Sequence, residues 1–258
     1  MRVPSAAELL AIWEEGITQH PVNRAVMLLA LVRPDMPKHA LAEVSLGERD
    51  AQLLSLRERL FGTRLRSLAV CPDCAERLEL DFDINDIRVP APERPQLAGE
   101  VSVETGDYVV RCRLPNSADL LAVADSADAD AAQQELLTRC VLAIERSPDA
   151  GTGAVEGIAP DALAVAELPP SAVEAVVGQM QQADPQVDVQ LSLTCTTCRR
   201  SWLMAFDIAS YLWDEIGDWA QRTLREVHAL ASFYGWREAD ILAMSARRRQ
   251  WYLEMIGA

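Results

Sequence analysis

Four cysteines have the residue type and the spacing that metal binding requires. They form two C-x-x-C elements, Cys71 with Cys74 and Cys195 with Cys198, which lie far apart in the sequence. Apolar and polar residues alternate around each element, a pattern typical of a β-hairpin whose turn carries the cysteines. One such turn offers two thiolates, so two facing hairpins complete a tetrahedral four-cysteine site. The sequence therefore predicts a structural Zn²⁺ bound by these four residues.

Three other interpretations of these cysteines are a redox pair, two disulfides and unrelated core residues. A thioredoxin-type C-x-x-C occurs once, at the start of a helix, whereas here the motif occurs twice within hairpins. Residues 1–15 contain no apolar segment of a secretory signal, so we expect reduced thiols and a cytoplasmic protein. A four-thiolate site has no open coordination position, so the zinc is expected to stabilise the fold. Cys112 and Cys140 lie in apolar stretches and are expected in the core.

The composition favours a globular protein whose partners are other proteins. The chain has 258 residues, of which 50% are hydrophobic, enough for one large core or two smaller ones. No apolar run approaches the roughly 18 residues of a membrane span, so no membrane partner is expected. The net charge of -15 disfavours nucleic-acid binding, which requires a basic surface.

Three helices are predicted before the first C-x-x-C element. Ser5 and Glu8 have the spacing of a capping box for a helix that ends near residue 15. An apolar helix is expected at 22–32 and a third at 46–60, and Gly62 ends the third. These helices lead the chain into the first hairpin.

An inserted module separates the two hairpins, beginning with a proline-rich connector at 89–95. Its predicted elements are strands at 101–103 and 108–114, a helix capped by Asn116 or Ser117, a helix at 128–145, a loop at 147–157 and a helix at 171–182. Gly106 is expected in the turn between the strands, and Ser171 with Glu174 has capping-box spacing.

The end of the chain is predicted to be a helical hairpin. Apolar residues repeat every three or four positions from Leu212 to Tyr234, and Gly235 ends this helix. A short helix is expected at 238–244, and Ser245 is expected to cap a last one. The tryptophans of this region are expected mainly in the core, with an exposed protein-binding face as the alternative.

The predicted fold class is therefore α+β, built around a split four-cysteine zinc ribbon of two knuckle hairpins. The four predicted segments are an N-terminal helical region at 1–64, the ribbon at 65–88 and 186–206, an inserted small α/β or mainly helical module at 89–185, and the C-terminal helical hairpin at 207–258.

No catalytic constellation is evident, so the chain is not expected to be an enzyme. His20, His39 and His228 lie in different segments, without a nucleophile at a recognisable spacing. The glycines at 151, 153 and 157 follow a helix and lack the lysine of a phosphate-binding loop, so they are expected to form a flexible loop.

The run Arg247-Arg248-Arg249 raises the alternative of a helix-turn-helix DNA-binding protein. The acidic charge of the chain disfavours it. The run also lies at the start of its helix, where the helix dipole disfavours cations. We therefore expect carboxylates of this chain or of a partner to compensate it.

Two sets of residues resemble the signature of a known family. The first set comprises Leu46-Gly47-Glu48-Arg49-Asp50, Leu53-Leu54, Leu56-Arg57, Leu60-Phe61-Gly62, the first C-x-x-C element and Leu78-Glu79-Leu80. The second comprises Leu212-Trp213, Glu226-Val227-His228, Leu230-Ala231, Tyr234-Gly235-Trp236, Ile241-Leu242, Ser245, Arg248-Arg249 and Tyr252-Leu253. Over about residues 20–84 and 187–256, the chain resembles the baseplate hub or hub-assembly-chaperone proteins of T-even-type contractile phages and related contractile injection systems. The inserted module resembles no family that we can name.

The resemblance implies a non-enzymatic role in building a baseplate, as a hub component kept in the particle or as an assembly chaperone. The expected partners are baseplate, hub or spike proteins of a contractile tail. Trp236, Arg248, Arg249 and Tyr252 are expected to contact such a partner. The alternatives are a zinc-ribbon regulatory or nucleic-acid-binding protein and an enzyme that uses the ribbon only as a scaffold.

Overall fold

The structure is a computed structural model that describes residues 2–90, 99–146 and 165–257. It contains helices and small antiparallel sheets, as the predicted α+β class requires. Most of the predicted connector at 89–95 and all of the predicted loop at 147–157, with its three glycines, lie outside the described residues. Within the described ranges, no helix has the length and apolar character needed to cross a membrane.

Groups of helices and groups of strands follow one another along the chain. The helices are α1 (Ala6–Gly16), α2 (Pro21–Val32), α3 (Lys38–Ala42), α4 (Leu46–Phe61), α5 (Ser117–Ala122), α6 (Ala129–Cys140), α7 (Pro170–Ala183), α8 (Ile208–Tyr234), α9 (Glu238–Ala243) and α10 (Ala246–Ile256). The strands are β1 (Arg64–Val70), β2 (Arg77–Asp83), β3 (Glu100–Thr105), β4 (Tyr108–Arg113), β5 (Val141–Arg146), β6 (Gln190–Thr194) and β7 (Ser201–Ala205). Short 3-10 helices lie at Ile84–Asp86 and Pro185–Val187.

The chain forms two compact units, each assembled from distant segments. The helical unit comprises Met1–Leu41, Ser55–Gly62 and Asp207–Ala258. The sheet unit comprises Ala42–Leu54 and Thr63–Phe206. The boundary between them divides α4 after Leu54. The finer division into four segments stays a prediction.

The N-terminal helices begin and end where local sequence rules place them. Ser5 Oγ accepts a hydrogen bond from the Glu8 N–H, and the Ser5 N–H donates to Glu8 Oε2, so the predicted capping box is confirmed. Gly62 follows α4 with a φ of +89°, a conformation that glycine adopts without steric cost. The sequence did not predict α3, a helix of five residues.

The predicted helix stop at Gly235 and the predicted cap at Ser245 are confirmed, although α8 begins at Ile208, before the predicted Leu212. Gly235 adopts the left-handed conformation, and its N–H donates to the Ala231 carbonyl at 2.9 Å, which ends α8. Ser245 Oγ accepts from the Arg248 N–H and caps α10. The two helices share a buried apolar cluster with α1 and α9, formed by Leu10, Val227, Leu230, Ile241, Leu242 and Leu253. Apolar burial therefore accounts for the packing of these helices.

The sheet unit contains a three-stranded antiparallel sheet in the order β3-β4-β5. Gly106, with a φ of +55°, forms the predicted turn between β3 and β4. The predicted helix at 128–145 is wrong in its last five residues, because α6 ends at Cys140 and β5 begins at Val141. A short apolar run such as 141–144 suits either structure, and pairing with β4 decides it.

The predicted cap at Ser171 is also wrong. Pro169 occupies the cap position without a side-chain hydrogen bond, and Pro170 is the first residue of α7. A proline at this position loses no helical hydrogen bond and already has a helical φ, so the proline pair determines the start. Ser171 lies one residue inside the helix.

Several residues of the first signature set hold the sheet unit together. The Gly47 N–H donates to Asp184 Oδ2 at 2.8 Å in a buried contact, and a side chain at Gly47 would collide with that carboxylate. Arg49 Nε donates to Asp50 Oδ1 at 2.7 Å, Arg49 Nη1 donates to the distant Ser117 Oγ at 3.4 Å, and all three residues are buried. These signature residues are therefore structural.

Candidate functional site

The four predicted metal ligands converge at the ends of two β-hairpins. Strands β1 and β2 carry Cys71 and Cys74 between them, and β6 and β7 carry Cys195 and Cys198. The Cys71 and Cys198 sulfurs lie 3.6 Å apart, as do those of Cys74 and Cys195. All four sulfurs lie within 4.8 Å of one another, and all four cysteines are free. A tetrahedron with a metal–sulfur distance of about 2.3 Å has edges of about 3.8 Å, so this group can hold a metal ion.

The two cysteine turns share one backbone pattern. The N–H of Cys71 donates to the Glu76 carbonyl at 2.9 Å, and the N–H of Cys195 donates to the Arg200 carbonyl at 2.8 Å. In both turns, this bond joins the first cysteine to the carbonyl of the second residue after the second cysteine. Two segments more than 120 residues apart thus adopt the same knuckle.

The residue after the second cysteine is left-handed in both turns. Ala75 has a φ of +58° and Arg199 a φ of +65°, and they are the only non-glycine residues with positive φ in the part of the chain that the structure describes. Their N–H groups donate to the carbonyls of Cys71 and Cys195. This conformation costs a residue with a side chain about 1 kcal/mol or more, so another interaction must hold both turns.

The thiols perturb one another as closely packed ligands do. Backbone N–H groups, first that of Cys198 and then that of Thr197, lower the pKa of Cys195 to about 7 despite partial desolvation. The Glu76 amide lowers the pKa of Cys74, but desolvation and the surrounding thiols outweigh it and raise that pKa to about 12. Several thiolates packed this closely repel one another unless a cation lies between them.

Contacts outside the cysteines also join the two hairpins. The rings of Phe82 and Phe206 meet edge to face with centroids 5.8 Å apart. Arg200 and Asp73 approach to 3.8 Å, but both are more than half exposed, so this pair adds little stability. Cys71 and Cys195 are buried, whereas Cys74 and Cys198 are exposed.

The remaining cysteines lie in the core of the sheet unit, as predicted. Cys112 on β4 and Cys140 at the end of α6 are both buried among apolar residues. Desolvation raises the pKa of Cys112 to about 11 and that of Cys140 to about 12, so both stay protonated and unreactive. His20 has a structural role as well, since its Nδ1 accepts the Val22 N–H at the start of α2.

The four residues expected to contact a partner occupy different environments. Arg249 is only 3% exposed, and it pairs with Glu226 at 2.9 Å and donates to the Met244 carbonyl. A carboxylate of this chain therefore compensates Arg249, in agreement with one of the two expected sources. Its burial makes Arg249 a structural residue and removes it from the candidate surface.

Trp236 and Tyr252 are half-buried members of an aromatic cluster. Trp236 stacks on Tyr234 with centroids 4.3 Å apart, and Tyr252 meets Trp236 edge to face at 4.9 Å. Arg248 is exposed, and its guanidinium lies 5.8 Å from the centre of the Tyr252 ring. Arg248 is therefore accessible to a partner, and the Trp236 and Tyr252 rings are partly accessible.

The exposed face of α10 contains three residues that the sequence-based site omitted. Trp251 is 52% exposed, Met255 is 73% exposed, and the Arg247 guanidinium lies 5.1 Å from the centre of the Trp251 ring. They line one open concavity with Ser245, Arg248 and Tyr252. We call this set the α10 face. The i to i+4 spacing of Arg247, Trp251 and Met255 was the sequence signal for it.

A family model described as T4 bacteriophage base plate protein matches residues 27–213. The chain belongs to this family. The match confirms the predicted family and supports a baseplate-related structural role. It extends through the inserted module, for which the sequence suggested no family, and it ends at Trp213, before most of the second signature set. No curated protein and no solved structure matches the chain significantly.

Proposed function

We propose that this chain is a non-enzymatic baseplate protein of a contractile phage-tail-like particle that acts by binding other baseplate or hub proteins. The family match over residues 27–213 carries this proposal. Of the two roles open to it, component or assembly chaperone, we favour the chaperone. A net charge of -15 suits a protein that covers basic surfaces of hub subunits before assembly in the cytoplasm.

Mass spectrometry of purified particles, compared with the lysate that produced them, tests the choice of role. A chaperone is abundant in the lysate and absent from mature particles. A component is present in the particles at a fixed ratio to the other baseplate proteins. Absence of any assembly defect when the gene is deleted would contradict both roles.

We further propose that Cys71, Cys74, Cys195 and Cys198 bind one structural Zn²⁺. Three observations support this proposal. The four sulfurs lie close together, the two knuckles share one backbone pattern, and each knuckle is followed by a left-handed residue, Ala75 or Arg199. Four thiolates leave no open coordination position, so the metal would stabilise the fold without taking part in a reaction. A tetrahedral sulfur site also suits iron, so the metal has to be measured.

Elemental analysis of the purified chain tests this site. We expect one zinc per chain in the native protein and a large loss in Cys71→Ser. Cys112→Ala is the matched control, since Cys112 lies in the core of the sheet unit and should leave the metal content unchanged. Native protein that carries no metal, or iron in place of zinc, contradicts the proposal.

The α10 face, together with Trp236, is our proposed partner-binding surface. Aromatic and arginine side chains dominate interface energetics, and Arg247 and Arg248 each lie over an exposed or half-buried ring. Arg248→Glu should block co-purification with a baseplate protein while the folding of the chain is unchanged. Arg222→Glu, which makes the same charge change at an exposed position of α8, should bind normally. Equal binding by both variants would reject this surface.

A further inference from the structure

The two cysteine hairpins present strand edges that have no neighbouring strand among the described residues. Within residues 2–90, 99–146 and 165–257, β2 pairs only with β1 and β6 pairs only with β7, in two separate two-stranded sheets. The outer edge of such a strand offers backbone N–H and C=O groups to any extended chain that lies beside it. Each hairpin can therefore accept one more strand.

One groove in the sheet unit contains both edges. Its volume is about 660 Å³, and it is lined by Glu79–Phe82 of β2, Asp188–Leu193 in and before β6, and Asp86–Val89. Successive side chains of a strand point to opposite faces, so a sheet face would contribute only alternate residues. Here consecutive residues of both strands line the groove, which indicates that it is bordered by the strand edges themselves.

The groove is lined by apolar residues of both strands and by acidic residues of β2 and of the segments next to β2 and β6. The half-buried apolar residues that line it are Leu80, Phe82, Leu191 and Leu193. Its acidic residues are Glu79, Asp81, Asp86 and Asp188, and Arg88 is the one basic residue among the described residues that line it. Asp81 is already paired with Arg64. Glu79, Asp86 and Asp188 outnumber Arg88, so the net charge along the groove is negative.

We propose that this groove binds an extended, basic segment of a partner protein as an added β-strand. Backbone hydrogen bonds to β2 and β6 would hold the segment, and its side chains would alternate between apolar residues and lysine or arginine. Charge complementarity selects this occupant, because an acidic or neutral strand would leave the excess negative charge of the groove unbalanced. The inserted strand joins the two hairpins into one sheet. The proposal rests on the proposed function, in that the partner is a baseplate protein.

Synthetic peptides test the groove without requiring particle assembly. The probe is a fluorescein-labelled peptide of eight residues that alternates valine and arginine, and binding is followed by fluorescence anisotropy. The first control replaces each arginine with glutamate. The second carries N-methyl groups on alternate backbone nitrogens and cannot pair with a strand edge. We expect only the unmodified basic peptide to bind, and to protect amides of 79–82 and 190–193 from hydrogen exchange.

Protein variants provide the matching test on the groove. Glu79→Lys with Asp188→Lys should weaken binding of the basic peptide by about tenfold or more. Asp214→Lys with Asp218→Lys makes the same charge change at exposed positions of α8 and should bind within about twofold of the native chain.

Equal binding of the N-methylated peptide to the native chain, equal binding of the acidic peptide, or protection only outside the two strands would each overturn the proposal. The peptide comparisons use the unaltered chain, so they stay decisive if a variant fails to fold. Failure of these tests leaves the proposed baseplate role intact, because that role is judged by particle assembly.

Discussion

The C-terminal helices and the two cysteine hairpins are stabilised in different ways. Leu230 and Ile241 are completely buried in the apolar cluster of the helical unit. The hairpins instead leave Leu68, Val70 and Leu203 more than half exposed. Burial of apolar surface contributes about 25 cal/mol per Å², so the helices gain most of their stability from it and the hairpins gain much less. We therefore expect the proposed metal centre to supply the order that a core supplies elsewhere.

Loss of a proposed metal ligand is expected to have the largest effect, and that effect should be confined to the hairpins. Cys71→Ser removes one of four thiolates from a centre that also ties together distant parts of the chain, so we expect a loss of about 3 kcal/mol or more. Amide hydrogen exchange should become fast in β1, β2, β6 and β7 and remain slow in α8. Equally fast exchange in α8 would contradict the difference between the two regions. A chelator should reproduce the effect in the native chain.

Loss of an apolar side chain should have the opposite distribution. Leu230→Ala leaves a cavity among the C-terminal helices and is expected to cost about 2–5 kcal/mol in urea-induced unfolding. The metal content should not change. Phe233→Ala removes a larger but mostly exposed side chain from the same helix and should cost less than about 1 kcal/mol. Loss of metal in the Leu230 variant would show that the two regions are not independent.

The adjacent arginines at 248 and 249 provide a sharper comparison within the helical unit. Arg249→Glu would place a buried carboxylate beside Glu226, with an expected loss of about 2–4 kcal/mol. Arg248→Glu changes an exposed side chain and should stay within about 0.5 kcal/mol of the native chain. Thermal unfolding of both variants checks this. A similar melting temperature for the two would argue against the burial of Arg249.

The smallest expected effect comes from the left-handed residues of the knuckles. Glycine adopts a positive φ without steric strain, so Ala75→Gly should stabilise the folded hairpin by about 0.5–1 kcal/mol, after its larger unfolded-state entropy is included. Arg199→Gly should behave in the same way. Thr197→Gly, within the same turn but without a positive φ, should be neutral or destabilising in urea-induced unfolding. Destabilisation by both knuckle glycines would contradict the strain argument.

Local sequence rules predicted the parts of this fold that depend on neighbouring residues. The C-x-x-C spacing, the stop at Gly235 and the cap at Ser245 all require information from within about four residues. These features could therefore be predicted from the sequence alone. The convergence of the cysteines was also predicted, because four thiols in two similar hairpins match the ligand set of a tetrahedral metal site.

The features that sequence reasoning missed depend on distant partners. Strand β5 forms because residues 141–146 pair with β4, although the apolar run itself suits a helix. Arg249 is buried because Glu226, 23 residues away, meets it. The acidic groove exists because the edges of β2 and β6 lie together, which no spacing within either strand reveals.

The distance between the paired cysteines affects how the protein is made. Cys71 precedes Cys198 by 127 residues, and Cys74 precedes Cys195 by 121. A ribosome adds about 5–20 residues per second, so the first knuckle waits roughly 6–25 s before the second emerges. During that interval its two thiols are open to oxidants and to other metal-binding proteins. If the centre binds Zn²⁺ as proposed, it is completed late in synthesis, and its yield in the cell should depend on zinc supply and on the rate of translation.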